Sequence, residues 1–207
     1  DIKTLLADLA EDPETKKNML QEAILDREAS LKLCIKGVSF FEGKGSTSES
    51  ASIGFWLALY GRILNSVYEL THNTEHLRKA AKAFEDAIES FQKLNQRSHM
   101  AECYWKAAQV YDTLGEHLKA AESFKLASDN YKSAGEKVPQ LRDFFEDHAL
   151  YMQAWTEIEN ARHHHTRQEY GLAKEHFEKA ADLHKPLKQW NYLAPNYAAW
   201  AHVENAE

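Results

Sequence analysis

The chain has 207 residues, 43% of them hydrophobic and 28% charged, with only 8 Gly and 4 Pro. So little Gly and Pro excludes collagen-like, linker-like and turn-rich all-β architectures, and the apolar fraction with its five Trp excludes a disordered chain. With 25 basic against 32 acidic residues the net charge is −7, which argues against a basic face built to neutralise nucleic-acid phosphates.

Asp12-Pro13 opens the first predicted helix, over residues 14–42, with Pro in the first turn, where its missing N–H costs nothing. Gly43-Lys44-Gly45-Ser46-Thr47-Ser48-Glu49-Ser50 is the only linker-like stretch. Helices are then predicted over 49–72, 75–94, 97–114, 117–134, 139–168, 170–184 and from 195 onward. Gly115, Gly135, Val138-Pro139, Lys185-Pro186 and Ala194-Pro195 mark the joints. The helical reading rests on apolar residues recurring at three- and four-residue spacing, as in Ala80, Ala83, Phe84, Ala87, Phe91 and Leu94. Leu141, Phe144, Phe145, His148, Met152 and Trp155 repeat the pattern, and strand-like alternation is nearly absent. The fold class is therefore all-α.

Cys34 and Cys103 sit among apolar neighbours and read as buried small hydrophobes of a reduced, cytoplasmic compartment. No apolar run approaches the ~20 residues that span a bilayer, and no signal-peptide pattern opens the chain. The chain begins at Asp1 without Met and ends at Glu207 inside a helix-like pattern, which reads as a piece of a longer protein.

A repeat emerges from self-comparison. Ala80, Phe84 and Ala87 recur as Ala120, Phe124 and Ala127, and again as Ala173, Phe177 and Ala180. Small residues flanking an aromatic let two helices approach while the ring fills the groove between them. The middle copy extends this to Tyr104-x2-Ala107-Ala108-x2-Tyr111, then Gly115, then Ala120-x3-Phe124-x2-Ala127. That order resembles a tetratricopeptide repeat. The third copy (Tyr170, Ala173, Phe177, Ala180, Pro186) keeps Ala161 in its first helix but has His164 in the Tyr slot. The first copy has Tyr68 in the small slot and Thr71 in the Tyr slot. The resemblance covers residues 50–207, whereas residues 1–45 form an N-terminal helical segment without a repeat pattern. The long helices also resemble the tetratricopeptide-like sheets of soluble NSF-attachment proteins.

The resemblance implies antiparallel helix pairs stacked as a right-handed superhelix. It implies a non-enzymatic scaffold, without cofactor or metal, that binds a peptide or partner protein in a helical groove. The first helix of each pair would line that groove, through Arg62, Asn65 and Glu69, then Trp105, Gln109 and Asp112, then Ile158, Arg162 and His165. The chaperone-tail clamp of some family members needs Lys and Asn at groove slots that here hold Asn65 and Glu69. A second reading is a regulatory or sensor domain of a larger enzyme or signalling protein.

Other constellations are weaker. His72-Asn73-Thr74-Glu75-His76 has the inverted zinc-peptidase order, but the repeat places it at a turn, where the two His do not share a helix face. His163, His164 and His165 are consecutive on a helix and point about 100° apart, so they do not converge on one ion. His164 is expected to pack between helices and to make stability sensitive to acid. Glu157-x-Glu159 reads as a solvated face. Trp190, Tyr192, Tyr197 and Trp200 form a C-terminal aromatic cluster, expected to pack against residues 170–184 or to leave a patch for self-association or a further repeat.

Overall fold

A computed structural model describes residues 2–10, 12–42 and 47–206. Among them there is no strand, and nine α-helices follow one another: α1 (Ile2–Leu9), α2 (Pro13–Phe41), α3 (Thr47–Thr71), α4 (Thr74–Gln92), α5 (Arg97–Thr113), α6 (His117–Lys137), α7 (Arg142–Thr166), α8 (Tyr170–His184) and α9 (Ala194–Glu204). Short 3₁₀ turns at Pro139–Leu141 and Asn191–Leu193 lead into α7 and α9. No described helix is long and apolar enough to cross a membrane. The chain groups into two compact units, residues 1–90 and 91–207.

In the first unit, Asp12 caps α2 by accepting the Thr15 N–H at 2.8 Å, and Pro13 occupies the first turn, as the sequence predicts. α2 packs on α3, and Arg27 helps to tie three helices together. Its Nε donates to Ser66 Oγ on α3 at 2.7 Å and its Nη2 to Thr4 Oγ1 on α1 at 3.3 Å. The Gly-Ser linker reading lies largely outside the described residues, and from Thr47 onward that stretch is already helix α3.

The second unit is built from one turn used three times. Asn95 (φ 52°), Gly115 (φ 73°) and Gln168 (φ 61°) each adopt the left-handed conformation two residues before the next helix begins. At each, the following N–H reaches back five residues: Gln96 to the Phe91 carbonyl (3.1 Å), Glu116 to Tyr111 (2.9 Å), Glu169 to His164 (3.0 Å). The left-handed residue itself donates three residues back, to Gln92, Asp112 and His165. This double bond satisfies the orphan carbonyls of the ending helix and reverses the chain sharply. Only Gly115 carries the residue that meets a positive φ without steric cost.

The small–aromatic–small copies behave as their spacing predicts. Ala120, Ala127, Ala173 and Ala180 are fully buried, with Phe124 and Phe177 nearly so, and in the first unit Ala80, Phe84 and Ala87 match them. Phe124 stacks on Trp155 of α7 with centroids 5.6 Å apart. Burial of one such ring contributes roughly 1.5–3 kcal/mol. Ser128 Oγ donates to the Ala149 carbonyl at 2.8 Å, so the α6–α7 interface carries a satisfied polar contact within its core.

Gly135 does not end a helix. α6 runs through it to Lys137, and the break falls at Val138-Pro139. A Cβ at Gly135 would stand 3.3 Å from the Phe145 Cβ, so its role is close approach of α7 to α6. Cys34 and Cys103 are both buried, as expected of small hydrophobes, and burial pushes the Cys34 thiol above its usual pKa.

Candidate functional site

The site lies on α7, α8 and α9 of the second unit. Trp155, Ile158, Arg162 and His165 recur on α7 at spacings of three and four, which places them on one stripe of the helix. Tyr197, Trp200 and Glu204 form the matching stripe on α9. Together with Phe177 of α8 these stripes enclose a cavity of about 320 Å³. Phe177 stacks between two α9 rings, Tyr197 at 6.3 Å and Trp200 at 6.3 Å. Burial, with a smaller contribution from Tyr151, pushes the Tyr197 hydroxyl up to about 12, so the wall stays uncharged at neutral pH.

Two enclosed carboxyl groups flank this stripe. Glu159, fully buried, accepts from His117 Nδ1 at 2.8 Å and from Arg162 Nη1 at 3.0 Å. Arg162 also bonds Asp112 of α5. Burial raises the Glu159 pKa and the bond from His117 opposes that rise. Glu204, 3% exposed, has Oε1 at ion-pair distance, 2.9 Å, from His165 Nδ1, while its Oε2 is buried without a hydrogen-bond partner.

Comparison with protein-family profiles, with curated proteins and with solved structures returns no match.

Ligand atoms of Asp112, His117 and Glu159 lie within 4.8 Å of one another, a donor set that suits a divalent ion. The Arg162 guanidinium already bonds both carboxylates of this set, so the protein supplies the cation itself.

The predicted groove residues fall into three groups. Arg62, Asn65 and Glu69 lie on α3 in the first unit, where Asn65 Nδ2 donates to Glu69 Oε1 at 3.2 Å. Trp105, Gln109 and Asp112 lie along α5. Trp105 meets Tyr151 of α7 edge to face at 6.2 Å, and Gln109 accepts from Lys106 at 3.0 Å. Ile158, Arg162 and His165 line the cavity, and Arg162 brings Asp112 up to its edge.

Three readings are changed or refined by the fold. Glu159 is not on a solvated face: α7 is packed against both α6 and α8, so its positions from 148 to 161 are buried or half-buried. Glu157 bonds His176 at 2.7 Å. His164 does meet the next helix, its ring stacked on His176 of α8 at 5.3 Å, but it is only partly buried and bonds Glu169 at 2.7 Å, whereas the fully enclosed histidine is His184. Its Nδ1–H donates to the Ala180 carbonyl at 2.8 Å, and burial lowers its pKa. The aromatic cluster divides: Trp190 stacks on Tyr151 at 4.3 Å and Tyr197 on Phe177, while Tyr192 and Trp200 are 65% and 53% exposed. His72 stands in the α3–α4 turn with φ 51° and His76 in the first turn of α4, as expected for residues that share no helix face.

The sequence reading missed Glu204, Trp155 and Phe177 as cavity residues. Glu204 carried a usable signal. It follows Tyr197 by seven residues and Trp200 by four, which puts an acid on an aromatic stripe.

Proposed function

We propose that the chain is a non-enzymatic interaction scaffold of tetratricopeptide-like helix pairs, which binds a peptide or partner protein along α5, α7 and α9. The observation that carries this reading is the cavity itself. It is bounded by three residues assigned to the groove from the repeat pattern, and it combines aromatic walls with an enclosed acid. Small sites that recognise ligands have this composition, mostly apolar with a few placed polar groups. Two further features support the stack. The left-handed turn recurs before α5, α6 and α8. Cross-links from Arg162 to Asp112 and from His165 to Glu204 join α7 to α5 on one side and to α9 on the other.

The test is panning of a random-peptide display library on the full chain, followed by affinity measurement with purified peptides. Trp105→Ala with Gln109→Ala is expected to weaken the selected peptides by ~10-fold or more while circular dichroism stays unchanged, because an aromatic anchor is lost. Equal affinity for both proteins would move the binding surface away from α5.

A further inference from the structure

We infer that the cavity between α7 and α9 is a receptor for an alkylammonium group, the lysine side chain of a docked partner chain. This rests on the groove reading above and names what the groove selects.

The first argument is the unpaired oxygen. A buried carboxylate with one oxygen lacking a hydrogen-bond partner is costly unless a donor arrives. Glu204 lines the cavity at 3% exposure, with Oε1 2.9 Å from His165 Nδ1 and Oε2 buried without a hydrogen-bond partner. One unpaired oxygen can take a single N–H of a compact ammonium, whose remaining charge the aromatic walls can meet. A guanidinium fork would ask for two.

The second argument is the wall. Trp155, Tyr197 and Trp200 line the same space, and Trp is the strongest partner for a cation over a ring. Trp200 is 53% exposed, so its ring is reachable from outside.

Charge decides the sign of the ligand. Arg162 also lines the cavity, but Asp112 and Glu159 both bond it. Glu204 is the acid of the lining, and Asp112 and Glu159 answer the Arg162 charge from outside it, so an anion is disfavoured here. Volume decides its size. About 320 Å³ lies at the low end of ligand sites, room for one side chain rather than a large cofactor. Because Oε2 needs a donor, the ammonium must keep at least one N–H, which separates this site from a cage for quaternary ammonium.

The test uses the full chain and four probes at matched ionic strength: n-butylammonium, n-butyltrimethylammonium, n-butanol and butyrate. Binding is followed by tryptophan fluorescence. Saturable binding of n-butylammonium, at least ~10-fold tighter than the other three, is expected from a charge-assisted bond to Glu204. Glu204→Gln is expected to remove that preference. Trp200→Leu, at a half-exposed position, is expected to weaken n-butylammonium by about 2- to 5-fold. Equal binding of n-butanol, or unchanged n-butylammonium binding in Glu204→Gln, would overturn the inference. A second arm compares peptides selected by panning with copies in which each Lys is replaced by norleucine. Loss of affinity only when Lys is replaced supports the assignment. Retained affinity would overturn it while leaving the groove reading in place. Ammonium binding without any selectable peptide would overturn the groove reading and leave a site for a free amine.

Discussion

Glu159 and Glu204 are two enclosed acids on neighbouring helices of one unit, and each is met by a histidine Nδ1 at 2.8 or 2.9 Å. They differ in what completes them. Glu159 also has the Arg162 guanidinium, so both of its oxygens are engaged from within the chain. Glu204 has only the ion-pair contact from His165 to Oε1, and its Oε2 is buried without a partner, beside a cavity. The difference separates a polar group that holds a fold together from one that is left ready for a ligand. Burial and partner type are alike, and only the count of donors distinguishes them.

The largest expected effect breaks the completed network. Arg162→Met leaves Glu159 buried with His117 alone, and removing one partner of such a set costs about 3 kcal/mol. Glu204→Gln keeps the shape and an acceptor for His165, so its cost is expected within about 1 kcal/mol. Urea unfolding at neutral pH measures both; equal losses would erase the distinction between the two acids.

His184 sharpens the contrast, because it is enclosed with no acid at all. Its Nδ1–H is used on a backbone carbonyl and burial holds its pKa below the usual 6.5. The folded state therefore favours the neutral ring. Its contribution is fully present above the unfolded value and is lost as pH falls below 6.5 through the folded value. Glu159 works in the opposite sense, since burial raises its pKa and its contribution grows as pH falls. The difference in stability between the wild type and His184→Leu across pH 4.5–8 isolates the histidine. It is expected to shift in favour of the variant as pH falls below 6.5, and a flat difference would show that His184 is not held neutral. The smallest effect is at the rim of the cavity: Trp200→Leu is expected to change unfolding free energy by no more than about 0.5 kcal/mol, because the ring is half exposed. A larger loss would make Trp200 part of the core rather than a wall for a ligand.

Helix placement was legible because its determinants are local. Asp12-Pro13, Gly115 and Val138-Pro139 each act within a few residues, and the observed helices begin and end close to the predicted points. Gly135 misled for an instructive reason. In isolation a Gly reads as a breaker, but here it clears space for Phe145, a contact that exists only after α7 folds onto α6. Glu159 misled in the same way, since a helix packed on two sides turns outward-looking positions into interior ones. Ile158, Arg162 and His165 were legible as one stripe through their helical spacing. Their partners were not, because Asp112 and Glu204 come from helices about 40 to 50 residues away and only packing of α5, α7 and α9 brings them together.

The five tryptophans give the most direct test of the central claim, that the α7–α9 cavity receives an ammonium group. Each indole N–H gives its own signal in a nitrogen–proton correlation spectrum. On titration with n-butylammonium the Trp155 and Trp200 signals are expected to move together along one saturable curve, with Trp56 of the first unit unmoved. Equal small drifts of all five signals, or movement at Trp56 without Trp155 and Trp200, would contradict the account.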